Sequence, residues 1–155
     1  MDYIIWSRDM KKGFTLLETL IALGVMAVIA GLTVTFYLGA IKLYDNKKCD
    51  SVALETASFI SKAINICLEN KDNGCLYIDV EKNAIKFKNG DSKLIDIYTL
   101  PKGFKVSGSN LRFYIYCNKD NLIDSGTIKV NYKDTIYRDI TMAVPIGLPY
   151  VKTGE

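Results

Sequence analysis

Between Thr19 and Ile41 the chain runs 23 residues without a charged side chain. A helix of that length, rising about 1.5 Å per residue, covers the ~30 Å hydrocarbon core of a bilayer. Helices in soluble cores rarely stay uncharged for so long. A cleaved secretory signal has a shorter apolar stretch, roughly 7–15 residues, followed by a small-x-small cleavage site. Leu38-Gly39-Ala40 matches such a site poorly. The segment therefore reads as a membrane-spanning helix. Flanking charge does not orient it, because Arg8, Lys11 and Lys12 before the segment are balanced by Lys42, Lys47 and Lys48 after it.

Helical periodicity continues beyond the apolar stretch. Val52, Phe59, Ile60, Ala63, Ile64, Cys67 and Leu68 fall on one face, and Glu55, Ser58, Lys62 and Asn65 on the other. No proline interrupts Phe14 to Leu68, so the spacing predicts one helix of roughly 55 residues, about 80 Å long. Its first half is apolar all round and its second half amphipathic, the pattern of lipid first and a folded domain second. Glu69–Gly74 (ENKDNG) stops it. The chain then alternates with period two: Ile85 and Phe87 against Lys86 and Lys88, Leu111, Phe113 and Ile115 against Arg112, Tyr114 and Tyr116, and Ile128, Val130 and Tyr132 against Lys129 and Asn131. Asn89-Gly90 marks a turn before Leu94–Tyr98, and Lys133-Asp134 leads into Ile136–Val144. The expectation is an α+β fold with five to seven antiparallel strands packed on the amphipathic half-helix. Residues from about Cys49 onward are expected to fold alone, with Phe59 on the buried face.

Much chemistry is excluded by composition. The 155 residues contain no histidine, which removes His-based general bases, nucleophile pairs with histidine and the common His-containing zinc sites. There is no G-K dipeptide for a P-loop and no G-x-S-x-G elbow. Asp120 and Asp124 are the carboxylates that remain for acid–base work or for calcium, and facing water is the simpler reading of both. No enzymatic function, cofactor or metal is expected. Cys49, Cys67, Cys75 and Cys117 form no C-x-x-C pair and allow three pairings. Cysteine's burial habit favours free thiols, and the best oxidised alternative is a Cys67–Cys75 bridge across a short loop.

The residues most specific to function are Lys11-Lys12-Gly13-Phe14-Thr15-Leu16-Leu17-Glu18, running straight into the apolar helix. A carboxylate one turn inside a membrane segment costs free energy and usually has a partner or a task. This stretch resembles the prepilin signature of type IV pilins and of the pseudopilins of type II secretion and competence systems. The resemblance covers about 30 residues. It implies cleavage by prepilin peptidase after Gly13, N-methylation of the new terminus at Phe14, and fibre assembly through Glu18. It also implies a leader over 1–13, a transmembrane helix segment over 14–41 and an extracytoplasmic domain over 42–155, with the half-helix reaching about residue 70. The partners would be the peptidase, other pilin or pseudopilin subunits and a membrane assembly platform. The N-terminus would be cytoplasmic and the C-terminal domain outside, passing into an extracellular or periplasmic fibre.

Two features set the chain apart from the major subunits of that family. It lacks the proline that commonly disrupts their helix, and its LLETLIAL run is closer to minor pilins and pseudopilins. Met1–Asp9 lengthens the leader, while Met10 opens a sufficient start of its own. A rival reading is a DNA-binding competence pseudopilin. Lys82, Lys86, Lys88, Lys93, Lys102, Lys105 and Arg112 would cluster with Phe104 and Tyr114 on one part of the sheet. A solvated lysine face is the simpler account.

Overall fold

The computed structural model describes residues 15–117, 122–143 and 149–153. One helix, α1, spans Leu16–Asn70, 55 residues. The chain divides into two compact units, Met1–Ile41 and Lys42–Glu155.

In the second unit α1 buries Asp45, Cys49, Val52, Ala53, Thr56, Ala57, Ile60, Ala63, Ile64 and Cys67. These positions recur every three or four residues, a stripe along one helical face. Ala53, Ala57 and Ala63 let the sheets come close, and Thr56 satisfies its hydroxyl on Val52 O at 2.8 Å. Phe59 and Leu68, expected in the core, lie at its margin and are half-buried. Phe59 instead meets the Tyr98 ring, with centroids 5.8 Å apart. The helix ends where Lys71 turns left-handed (φ 52°). The Asp72 amide then reaches back to Cys67 O at 3.1 Å and the Lys71 amide to Leu68 O at 3.3 Å, closing the carbonyls that the last turn would leave open.

Nine strands follow among the described residues: β1 Gly74–Asp79, β2 Ala84–Asn89, β3 Leu94–Thr99, β4 Phe104–Gly108, β5 Arg112–Tyr116, β6 Leu122–Ile123, β7 Gly126–Tyr132, β8 Ile136–Met142 and β9 Tyr150–Thr153. They form two antiparallel sheets, a five-stranded one ordered β3-β2-β1-β5-β6 and a four-stranded one ordered β4-β7-β8-β9. The architecture is α+β as the periodicity predicts, with more strands than expected. The extra ones include β6 and β9, too short to carry an alternation. β4 and β1 also escape the pattern, because glycine, serine and cysteine interrupt their apolar positions.

The inward residues Leu76, Ile78, Ile85, Phe87, Phe113 and Ile115 of one sheet and Phe104, Val106, Ile128, Val130, Ile140 and Met142 of the other join the helix stripe in one core. Where the sheets approach, Gly108 leaves room that a Cβ would lose: it would stand 2.6 Å from Ile78 Cδ1. The turn after β2 differs in detail from the Asn89-Gly90 reading. The left-handed residue is Ser92 (φ 61°), and Asn89 closes the turn by accepting the Lys93 amide on its side chain at 3.0 Å.

Ion pairs fasten helix to sheet. Asp50 accepts Arg138 Nε at 2.6 Å, and Asp45 accepts Lys133 Nζ at 2.8 Å. Further along, Lys62 meets Asp96 at 2.7 Å and Glu55 accepts the Tyr98 hydroxyl at 3.0 Å. Burial first, and the Glu55 carboxylate second, push the Tyr98 phenol up to about 12.

Candidate functional site

The helix N-terminus begins with a reciprocal cap. Glu18 Oε2 accepts the Thr15 amide at 2.8 Å and the Thr15 hydroxyl at 3.0 Å, and Thr15 Oγ1 accepts the Glu18 amide at 3.3 Å. This is the capping box of a T-x-x-E sequence: two amides that a helix start leaves without partners are satisfied by the two side chains. A carboxylate in the first turn also meets the positive end of the helix dipole. The T-L-L-E spelling of residues 15–18 is the signal for this cap in the sequence. Gly13 and Phe14, the expected cleavage and methylation positions, lie outside the described residues, as does Asp120.

From Leu16 to Tyr44 every residue of α1 is exposed in the isolated chain. The best 18-residue window has a mean hydropathy of 2.2 and none of it is buried. Leu20, Ile21, Leu23, Met26, Val28, Ile29, Leu32 and Phe36 all face outward at more than half their full area. Such a surface is stable only against lipid or other apolar helices. Its polar groups suit that setting. The hydroxyls of Thr19, Thr33 and Thr35 bond to the carbonyls of Leu16, Ile29 and Gly31 at 2.7, 2.8 and 3.0 Å, so none is left unpaired in hydrocarbon. A Cβ built on Gly24, Gly31 or Gly39 meets nothing within 4 Å. With Ala27 and Ala30 these glycines leave the backbone accessible to a neighbouring helix.

The basic cluster expected on one part of a sheet is dispersed. Lys82, Lys86, Lys88, Lys93 and Arg112 belong to the five-stranded sheet or its turns, whereas Lys102 precedes β4 and Lys105 lies on it, in the other sheet. Phe104 is buried. Lys86 is bound to Asp79 at 2.6 Å, and Lys105 to Asp134 at 2.8 Å. What the outer face of β1, β2 and β5 does assemble is a shallow cleft of about 460 Å³ lined by Tyr77, Lys88, Arg112, Tyr114 and Tyr116. Asp124, the other candidate carboxylate, directly follows β6 and ties it to β5, its side chain accepting the Tyr114 amide at 2.9 Å and its own amide donating to Tyr114 O at 2.9 Å.

All four cysteines are free, as their burial habit favours, and the alternative Cys67–Cys75 bridge is not made. Strand alternation explains why. Gly74, Leu76 and Ile78 point inward on β1, so Cys75 points outward, away from Cys67 on the buried stripe of the helix.

Against known families, residues 8–34 match the model described as the prokaryotic N-terminal methylation motif. No curated protein and no solved structure matches the chain. Residues 8–34 thus set the signature of type IV pilins at the head of this chain, and it leads without a break into a long apolar helix and a helix-on-sheet domain.

Proposed function

We propose that the chain is a structural subunit, of the minor class, of a type IV pilus or of a type II secretion or competence pseudopilus. The observation that carries this reading is the continuity of the methylation motif with a helix whose first half is apolar and uncovered on every side. In this reading prepilin peptidase cuts between Gly13 and Phe14, where a glycine lets extended backbone enter a protease cleft. Phe14 is methylated, and the helix passes from the membrane into a fibre where other subunits' helices replace lipid. The domain lies outside the cell, and an assembly platform in the membrane drives the transfer. The unbroken, proline-free helix over Leu16–Asn70 supports the minor class.

Glu18 acts in assembly, its carboxylate meeting the amine of a neighbouring subunit in a low-dielectric interior. The cap adds a consideration to this role. Before assembly Glu18 is held by Thr15 of its own chain, so a neighbour's amine must compete with, or add to, that bond. Glutamine also serves at the last position of a capping box. Glu18→Gln therefore keeps the cap and removes the charge. Membrane insertion and cleavage should survive in this variant, and incorporation into sheared, immunoblotted fibres should be lost. Normal incorporation would remove the pairing role. Mass spectrometry of the mature chain should find methylated Phe14 at its start, and a chain beginning at Met1 or Met10 would refute the processing.

A second reading, DNA binding during uptake, draws on the outer cleft, where three tyrosines stand with Lys88 and Arg112. Stacking surfaces beside cations suit a single strand. It would show as binding of labelled single-stranded DNA that weakens steeply with salt and falls in Arg112→Ala. With Lys86 and Lys105 neutralised by carboxylates, the subunit reading is the stronger.

A further inference from the structure

Five strands separate Cys67 from Cys117 in the chain, and the fold returns them to one place. Cys67 sits in the last turns of α1 on its buried face and is 2% exposed. Cys117 directly follows β5, whose Phe113 and Ile115 point inward, so alternation sends Cys117 inward as well. β1 and β5 pair with Gly74 opposite Ile115. The sulfur of Cys67 lies over that pair, so close to Gly74 that a Cβ there would stand only 2.4 Å from it. Cys117 is anchored beside it, its amide donating to Asn73 Oδ1 at 3.0 Å. Cys67 and the inward-turned Cys117 thus come to the same end of the β1–β5 pair, on its buried side. Cys75 has turned to the opposite face of the sheet, and Cys49 lies against Val130 and Ile136, within 4.0 Å of both carbonyl oxygens.

We infer that Cys67 and Cys117 form a disulfide that staples the end of α1 to β5, with Cys49 and Cys75 remaining thiols. The step is a two-electron exchange with a small-molecule or protein disulfide. Half-buried Cys117 loses its proton and attacks the oxidant's sulfur, releasing one thiol. Cys67 then loses its proton and attacks Cys117, releasing the second. One S–S bond forms within the chain and one is consumed in the oxidant. Burial first, and the neighbouring Cys117 second, push the Cys67 thiol up to about 12. Uncatalysed closure is accordingly slow, because the thiolate is the attacking species. The staple suits the proposed exterior location, where disulfides persist, but its geometry does not depend on that reading.

The test uses the full chain purified in detergent, reduced and then incubated with oxidised glutathione. Free thiols are alkylated and the protease digest is mapped by mass spectrometry without reduction. The expected result is one cross-linked peptide pair joining Cys67 to Cys117, with Cys49 and Cys75 alkylated. The pair should persist in Cys75→Ser and vanish in Cys117→Ser. Closing a loop of this length should also raise the thermal midpoint of the oxidised chain by roughly 10 °C over the reduced one, a gain absent from Cys117→Ser. A bridge from Cys67 to Cys75, or alkylation of both Cys67 and Cys117 after prolonged incubation, would overturn the inference. So would identical midpoints of the oxidised and reduced chains. None of these outcomes depends on whether Gly13 is cleaved or Glu18 assembles, so the staple and the subunit reading fail separately.

Discussion

Removing the Asp50 carboxylate should destabilise the domain far more than removing its partner. Arg138 is buried, its side chain 8% exposed, whereas Asp50 keeps 32%. In Asp50→Ala the guanidinium stays in the core with only Tyr137 O at 2.9 Å and a long contact to Asn46 Oδ1 at 3.5 Å. A buried charge stripped of its counter-ion costs about 3–5 kcal/mol, and these two acceptors place the expected loss at the lower end, about 3 kcal/mol. In Arg138→Met the remaining carboxylate can turn to water through its exposed third, and the methionine fills the stem's volume. That loss should be about 1 kcal/mol. The double variant should lie near Arg138→Met, because no unpaired charge is left behind. The assay is urea unfolding of a fragment beginning at Lys42, followed by circular dichroism. With a slope of about 2 kcal/mol/M, Asp50→Ala should lower the midpoint by roughly 1.5 M. An Asp50→Ala midpoint within experimental scatter of wild type, or an Arg138→Met loss as large as that of Asp50→Ala, would refute the assigned burial of the pair.

Ile60→Ala, which empties a fully buried position of α1, should cost about 3–4 kcal/mol in the same assay, and Phe59→Ala clearly less, since its ring lies at the core margin and is only partly buried. Equal losses would mean that the helix face is rotated from the one described. Gly74→Ala should cost about 1–3 kcal/mol, because the new methyl meets Cys67 Sγ and, at 2.9 Å, Phe87 Cε2; a neutral result would show that the helix end can withdraw. Hydrogen bonds from Lys86 and the Lys82 amide hold Asp79 below the ordinary carboxylate value of 3.8, and those from Lys62 and the Ile97 amide do the same for Asp96. Groups depressed in the folded state stabilise it fully above that value and lose the contribution as pH falls through their folded values. Thermal midpoints should therefore drop below about pH 4, and less so in Asp79→Asn/Asp96→Asn; an unchanged acid profile in that variant would exclude these two groups.

The sequence made the helix legible because two periodicities meet in it without a breaker. The uncharged run demanded lipid, and the recurrence of Val52, Ile60, Ala63, Ile64 and Cys67 demanded a sheet beneath. Less legible was where the second unit begins. Fragmenting at Cys49 would discard Asp45 and Asn46, which serve Lys133 and Arg138 some ninety positions away, and nothing local in a helical KLYDNKKCD marks those partners. Strand alternation told which residues of β2, β5 and β7 point inward, but not which strands are neighbours. Lys105 and Lys86 look alike in the alternation, yet different sheets carry them. Cysteine pairing is equally hidden: nearness in sequence suggests Cys75 as the partner of Cys67 in any bridge, while the parity of β1 turns Cys75 outward and β5 brings Cys117 to the inward side.

The two ends of α1 follow opposite rules, and the division bears on the proposed passage of the chain from membrane to fibre. At the N-terminal end the threonines and Glu18 are satisfied within the helix itself: Thr15 with Glu18, and Thr19, Thr33 and Thr35 on carbonyls one turn back. Those groups are indifferent, in hydrogen-bonding terms, to whether lipid or other helices surround them. From Asp45 onward the helix depends on its own sheets through Lys133, Arg138, Asp96 and Tyr98. Transfer from bilayer to fibre would then exchange only apolar contacts along the first half, leaving the second half and its domain unchanged. On the proposed reading, the self-capped Glu18 carboxylate would give direction to an exchange that apolar contacts alone would leave free to slip by a turn.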